Sequence, residues 1–339
     1  MAVNQRQIAE ALNLSIITVS RALRGHPDLA ESTKARVLQK AHELGYRKFA
    51  TRPDWVGGNG GAATRRIGII IYEDQSMPHV DVLKSEVLRR IFLSLQKECQ
   101  RLNVETLIET PPPGSLAAPL IVKNRTVQGV FLLGRYSPQT VEMLGDTPAL
   151  AVSSYIKCPG LPRIVADNFH GMREATEHLL GLGHRQILFL GDIQPHTEIF
   201  RERSYGYMAA MHSRGLVPSV VFFDGRKQPV PIEEISRHTA VVCSNDTLAY
   251  RVQGALMAAG WKLPEACSIV SFDNLTDMER EQPITSYAPN WELMGRVAAD
   301  LLLSQPLDIR GQDIVITVAG QLLLRDSTRS PAPQAVRPV

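Results

Sequence analysis

The sequence predicts a small all-α N-terminal unit followed by an α/β core of two doubly wound parallel sheets. Three observations carry this. The first 46 residues read as three short helices with capping residues and tight turns between them. Residues 47–65 break that pattern, with Gly57, Gly58, Gly60 and Gly61 crowded around Asn59 as a flexible linker. From residue 66 onward, apolar β-type runs alternate with amphipathic helical stretches, which is the pattern of parallel sheets covered on both faces. A chain of 339 residues is too long for one typical core, so about two or three domains are expected.

The N-terminal helices can be justified in order. In Asn4 to Leu12, the side chains of Ile8, Ala9 and Leu12 share one face, and Asn4 is a good N-cap with Gln7 at capping-box spacing. After a break at Asn13 and Leu14, Ser15 can cap a second helix that turns Val19, Ala22 and Leu23 inward. The turn Gly25 to Asp28 ends it, because glycine suits a C-cap and proline cannot continue a helix. Thr33 to Leu44 forms the third helix, closed by Gly45. Two helices joined by a tight turn, the second exposing small polar residues and an arginine, is the helix-turn-helix layout.

Charge agrees with a DNA-binding piece. Residues 1–66 carry 11 Lys and Arg against 5 Asp and Glu, a net +6, whereas the remaining 273 residues carry 26 against 29, a net −3. A small basic module on a mildly acidic body is the footprint expected where phosphate contacts dominate affinity.

In the core, strands are predicted at 66–72, 104–110, 129–134, 149–154, 186–192, 220–225, 240–245 and 268–274. Helices are predicted at 80–102, 137–145, 171–182, 201–214, 247–259 and 291–304. Two such lobes can face each other across a cleft, with ligands outside the carboxyl ends of the strands.

Composition excludes several classes. Hydrophobic content of 44% with 21% charged residues is ordinary for a soluble globular protein. No apolar run approaches the ~18 residues of a membrane helix. The start MAVNQRQ lacks an apolar signal region, so a cytoplasmic location and no membrane partner are expected. Cys99, Cys158, Cys243 and Cys267 lack CxxC spacing and read as buried free thiols, neither a metal site nor a disulfide frame. No GxSxG, P-loop, strand-borne GxGxxG or HExxH motif occurs, so neither an enzyme nor a cofactor is expected.

The run IAEALNLSIITVSRALRG followed by STKARVLQKAHELGY resembles the N-terminal headpiece of the lac-repressor (LacI/GalR) family, above all in TVSRAL (Thr18 to Leu23) and LGY (Leu44 to Tyr46). The core resembles the same family's two-lobed, periplasmic-binding-protein-like core. Its landmarks are RIGIII, the stretch Asp167 to Gly191, RxRxxG (Arg201 to Gly206), SND (244–246), VSFDN (270–274), PITSY (283–287) and LLLRDST (322–328). The resemblance implies a helix-turn-helix headpiece over 1–48, a hinge or Gly-rich linker over 49–65, an effector-binding and dimerisation core over 66–328, and a Pro-rich disordered tail over 329–339.

The resemblance also implies a homodimeric transcriptional regulator on double-stranded operator DNA, controlled by a small molecule, most naturally a carbohydrate. A solute-binding protein of the same fold is the alternative, but it calls for an export signal and no helix-turn-helix. Ser15, Ile16, Ile17, Thr18 and Arg21 fall at the N-terminal part of the recognition helix. Ile16 and Ile17 can only offer apolar contact, for example to thymine methyls, unless Ile17 packs inside. Arg21 suits either guanine or a phosphate. Ser15, Ser20, Thr33 and Lys34 suit phosphates, and Asn4 would cap the first helix beside one.

The hinge departs from the family pattern. Lys48 and Phe49 replace the usual Pro-Asn pair, Pro53 interrupts the hinge helix, and Trp55 stands at the place of the wedge leucine. Trp55 is either a groove wedge or a core-packing residue beside a non-helical hinge. In the effector pocket the resemblance carries over Arg203, Asn245 and Asp273 as polar partners and Trp291 as an aromatic wall, with Phe200, Asp74 and His79 nearby. Pro289 replaces a hydrogen-bonding side chain there, which reduces the polar set.

Overall fold

The computed structural model describes residues 5–23, 29–44, 65–72, 85–112, 114–153, 158–192, 198–225, 227–275, 282–304 and 312–331. Asn4, Trp55, Asp74 and His79, and with them the linker from 49 to 64, lie outside the described residues. The chain divides into two compact units, the N-terminal helices and the part from residue 65 onward.

The first unit contains α1 (Gln5–Leu12), α2 (Ile16–Leu23) and α3 (Glu31–Glu43). Its core is Ile8, Ala9, Val19, Ala22, Leu23, Val37 and Ala41, with Leu12, Leu14 and Leu29 packed against it. The turn between α1 and α2 uses Asn13 at φ +54, a left-handed position that asparagine tolerates, and Leu14 N–H donates to Ala9 O at 2.9 Å. The third helix starts two residues before the predicted Thr33, because Ala30 O already accepts from the amides of Thr33 and Lys34.

The second unit runs β1 (Arg66–Tyr72), α4 (Glu86–Arg101), β2 (Glu105–Glu109), α5 (Leu120–Lys123), β3 (Val130–Gly134), α6 (Pro138–Glu142), β4 (Ala149–Val152), β5 (Arg163–Ala166) and α7 (Asn168–Gly181). It continues through β6 (Ile187–Asp192), α8 (Glu198–Ser213), β7 (Ser219–Phe223), α9 (Ile232–Ser236), β8 (Ala240–Cys243), α10 (Asp246–Ala258), β9 (Ser268–Phe272), β10 (Thr285–Ala288), α11 (Trp291–Ala299), β11 (Val315–Val318) and β12 (Gln321–Leu323). A π-helical turn, Asp300–Ser304, extends α11, so the predicted helix over 291–304 is α-helical only to Ala299.

Two six-stranded sheets result, ordered β11-β5-β4-β3-β1-β2 and β12-β10-β9-β8-β6-β7. Among the described residues every pairing is parallel except β10 with β12. The strand order reverses between β1 and β3 in the first sheet and between β6 and β8 in the second. These are the switch points beyond which doubly wound sheets place ligands. β1 is buried over six of its seven residues, which explains its unbroken apolar run.

The first lobe packs α4 and α11 on its sheet through Ile69, Ile91, Leu95, Phe131 and Met294. The second packs α7 and α8 on one face through Met172, Leu179, Phe189 and Tyr207, and α10 on the other through Leu248, Val252 and Leu256. Cys99, Cys158, Cys243 and Cys267 are buried free thiols, as their apolar surroundings predict.

The chain passes between lobes three times: at Asp167 between β5 and α7, at Pro289 and Asn290 between β10 and α11, and at Ala319 and Gly320 between β11 and β12. All eight predicted strands form, most of them with frayed ends trimmed. β5, β10, β11 and β12 were not expected, because four residues or fewer leave little period to read. The one-turn helices α5 and α9 escape prediction for the same reason.

The glycine of RxRxxG has a packing role. A Cβ on Gly206 would collide with the carbonyl oxygen of Phe169 where α8 crosses α7. Gly206→Ala is expected to lower unfolding stability by about 1–3 kcal/mol through that overlap. Urea unfolding monitored by circular dichroism checks this, and an unchanged midpoint would remove the close crossing from the account.

Candidate functional site

The second helix of the N-terminal unit presents an unusual face. Ser15 caps it: Thr18 N–H donates to Ser15 Oγ at 3.0 Å, and the two hydroxyls lie 2.8 Å apart. The cap fixes where the helix begins and therefore which side chains point outward. Val19, Ala22 and Leu23 turn into the core, while Ile16 and Ile17 are 49% and 69% exposed. Burying an isoleucine side chain is worth about 1.5–3 kcal/mol, so two adjacent exposed ones forgo a sizeable contribution in a very small core. Arg21 is exposed on the same helix. Ser20, Thr33 and Lys34 are half-buried. Ile17 thus lies on the surface, which removes the reading of it as a core residue.

In the core unit, Arg203 organises a second constellation. It sits on α8, only 4% exposed. Its Nε donates to Asn168 Oδ1 at 2.9 Å, Nη1 to Ser244 O at 2.6 Å, and Nη2 to Asp273 Oδ1 at 3.0 Å. Its guanidinium carbon lies 3.6 Å from the ring centroid of Phe272, and the Phe200 ring is 5.7 Å away on the preceding turn. The acceptors come from the start of α7 and from the carboxyl ends of β8 and β9. One buried cation therefore gathers the ligand-facing edge of the second sheet.

Asn168 Nδ2 donates to Ala166 O at 3.1 Å, which orients its oxygen toward Arg203. Burial raises the Asp273 carboxyl above its ordinary range, and the charge and hydrogen bond of Arg203 pull it back. Asn245 is half-buried beside Ser244 and caps α10 by accepting Leu248 N–H at 2.8 Å.

The Asp273 backbone is strained. It lies at φ +112, and Asn274 follows at φ +51. Asparagine tolerates the left-handed region, but a non-glycine residue at +112 costs of order 1–3 kcal/mol and persists only where its surroundings hold it. Here they do. Asp246, 2% exposed, accepts Leu275 N–H at 2.7 Å and the Ser286 hydroxyl at 2.7 Å. Ser286 Oγ in turn accepts Asn274 N–H at 3.0 Å. Arg325 Nη2 donates to Asn274 Oδ1 at 2.5 Å.

Arg203, Asp273 and Phe200 thus come together, with Asn245 beside them. Trp291 sits at the first turn of α11, 6% exposed and packed in the first lobe's core. It also lines a groove of about 590 Å³ beside Arg90, Ser94, Asn290 and Gln321. Asn168, Asp246 and Ser286 had no place in the predicted site. All three stand in landmark motifs, Asn168 in the stretch Asp167 to Gly191, Asp246 in SND and Ser286 in PITSY, and a polar residue shortly after a short strand was the available signal for the first two. Among the described residues, no group of three His, Cys, Asp or Glu side chains could hold a metal ion, and no helix is long and apolar enough to cross a membrane.

Burial, reinforced by the charge of Asp273, pushes the Asp246 carboxyl up from 3.8 to about 6. The fold therefore holds this proton more tightly than the unfolded chain does. The stabilisation is complete below the unfolded value and is lost as pH rises through about 6. Relative to Asp246→Asn, the parent protein should lose up to about 3 kcal/mol between pH ~4 and pH ~7. Urea unfolding across that range tests it; a gap that does not vary with pH would contradict the buried ionisable role.

Comparison with known proteins agrees with both halves. A model of the periplasmic binding protein-like domain matches residues 176–328. The HTH-type transcriptional repressor CytR of Escherichia coli strain K12 is 26% identical over 357 aligned residues, covering 97% of this chain and 97% of that protein. The lac repressor dimer bound to operator and the anti-inducer ONPF shares the fold, with a TM-score of 0.63 and 20% identity over 97% of this chain and all of the other. So does a complex of the regulator CelR with cellobiose, at 0.61 and 23% over 96% of this chain and all of the other. With three N-terminal helices, a core of two doubly wound sheets and a relative matched along nearly its whole length, the chain is similar throughout to HTH-type transcriptional regulators such as CytR.

Proposed function

We propose that this chain is a sequence-specific DNA-binding repressor whose operator affinity is set by a neutral carbohydrate bound where Arg203, Asn245 and Asp273 converge. The observation that carries the effector half is the buried Arg203–Asp273 pair at the carboxyl edge of the second sheet. With its charge matched by Asp273, Arg203 is not a naked anion trap. Asp246 lies close enough to raise its own carboxyl through the Asp273 charge. A phosphate would meet two carboxylates there, whereas hydroxyl groups find both donors and acceptors. The cellobiose held by CelR supports the same ligand class.

On the DNA side, Ile16 and Ile17 touch thymine methyls and Arg21 reads guanine. Thr18 faces base edges beside them, Asn4, Ser15, Ser20, Thr33 and Lys34 position the unit on phosphates, and Trp55 acts at the minor groove. The unit boundaries of this reading are 1–48, 49–65, 66–328 and 329–339. Two copies act as a homodimer in the cytoplasm on a pseudo-palindromic operator, as the operator-bound lac repressor dimer suggests. The reading calls for no catalysis and no cofactor. Asp74 and His79 of the first lobe, Phe200 and Trp291 complete the pocket. Ligand and operator are then coupled only through their different affinities for the two lobe arrangements.

Binding of genomic fragments by the purified protein at two salt concentrations, followed by sequencing, tests the DNA half. A pseudo-palindrome with a steep salt slope is expected; weak, sequence-blind capture at both salts would sink it. Arg21→Ala should relax discrimination at one base pair by about 1–3 kcal/mol. For the effector half, Asp273→Ala should abolish the sugar response, measured on the recovered operator, and leave operator affinity unchanged. Retained induction in that variant would take Asp273 out of the site.

A further inference from the structure

The strained pair Asp273 and Asn274 is held on three sides by its own lobe, and the fourth hold comes from elsewhere. Arg90 lies on α4, in the first lobe. Its Nη1 donates to the carbonyl oxygen of Asn274, in the second lobe, at 3.1 Å. Its Nη2 pairs with Glu86 one turn earlier on α4 at 2.5 Å. Glu86 is itself buried, so the guanidinium is both oriented and charge-matched where it meets the carbonyl. The charges of Glu86 and Arg90 both reach the Asp273 carboxyl, in opposite directions.

We propose that Arg90, oriented by Glu86, is an interlobe latch: a positioning residue that grips the Asn274 carbonyl and so sets the backbone of Asp273 from the opposite lobe. Three features support this. The gripped atom belongs to a residue at positive φ whose neighbour is strained, so the segment has a second, relaxed arrangement available. Both amides after Asp273 are tied within the second lobe by Asp246 and Ser286, so movement of the segment carries that lobe's edge with it. The guanidinium is planar and forked, so one residue bridges Glu86 and Asn274 at once, which a lysine does less well.

The latch works in either direction. Displacing Asn274 releases Arg90 and lets the lobes part; parting the lobes releases the Asp273 backbone. Its use in effector control rests on the carbohydrate reading given above. The latch itself does not, because it can be measured without sugar or DNA.

The test compares the full chain with Arg90→Gln, Arg90→Lys and the control Arg66→Gln, which removes a surface pair with Glu105 inside the first lobe. Hydrogen exchange over residues 271–275 reads the local hold, and small-angle scattering reads the lobe separation. Arg90→Gln should speed exchange at Asn274 and Leu275 on the order of tenfold and enlarge the radius of gyration. Arg90→Lys should fall between the two, and Arg66→Gln should match the parent. Unfolding midpoints establish that each variant is folded; Arg90→Lys carries the test if Arg90→Gln is not. Exchange unchanged in the folded Arg90 variant would overturn the proposal. Faster exchange with unchanged scattering would overturn it too, since Arg90 would then be only a local anchor of the loop.

Discussion

A guanidinium cannot leave water unaccompanied. Desolvating it is expensive, and the cost is recovered only if its donors find well-placed acceptors and its charge finds a partner. Arg203 meets this requirement with one side-chain amide, one backbone carbonyl and one carboxylate, each from a different element, over the face of Phe272. Much of the core's ligand-facing geometry follows. Asn168 must stand two residues past β5, β8 must end so that Ser244 O points at α8, and Asp273 must stand just past the end of β9. Asp273 meets Arg203 at a positive φ, and the Asp246–Ser286 network holds the segment that follows it. Strain at the site thus sits on the carboxylate partner of a buried cation, held in place by a second layer of hydrogen bonds.

The N-terminal unit solves the opposite problem. Its core is a handful of aliphatic side chains, and small units are hard to stabilise by burial alone. Yet it leaves Ile16 and Ile17 in solvent. Local devices compensate: a serine cap at α2, an asparagine in the left-handed turn before it, and an Arg6–Glu10 pair along α1. The unit is specified by caps and turns as much as by packing, which leaves an outward face free for contact.

Those local devices are what the sequence made legible. Ser15, the inward set Val19, Ala22 and Leu23, and the long apolar strands could all be read within windows of a dozen residues. Arg203, Asn245 and Asp273 were reachable through motif resemblance, because each stands in a short distinctive string. Asn168 and Asp246 were not, although they stand in equally visible strings, since their role depends on partners 35 and 40 residues away. Arg90 was further out of reach: its partner lies 184 residues along the chain, and on α4 it looks like any solvated arginine. Strands such as β10, reading TSYA, lack the apolar signal of their neighbours because their hydroxyls serve the site and the C-terminal segment.

The three passages between lobes have a consequence for how this core can be built or taken apart. Neither lobe is a continuous stretch of sequence. The first lobe takes α11 and β11 from the far end of the chain, after the second lobe's sheet is nearly complete. Cutting the chain anywhere between residues 167 and 290 therefore strips the first lobe of a packed helix and an edge strand. Exchanging lobes between two such proteins would need three simultaneous junctions, at Asp167, Pro289–Asn290 and Ala319–Gly320, and two of these touch, since Gly320 N–H donates to Tyr287 Oη at 2.6 Å beside Ala288. The first 290 residues alone leave the first lobe without α11 and β11 and the second without β12.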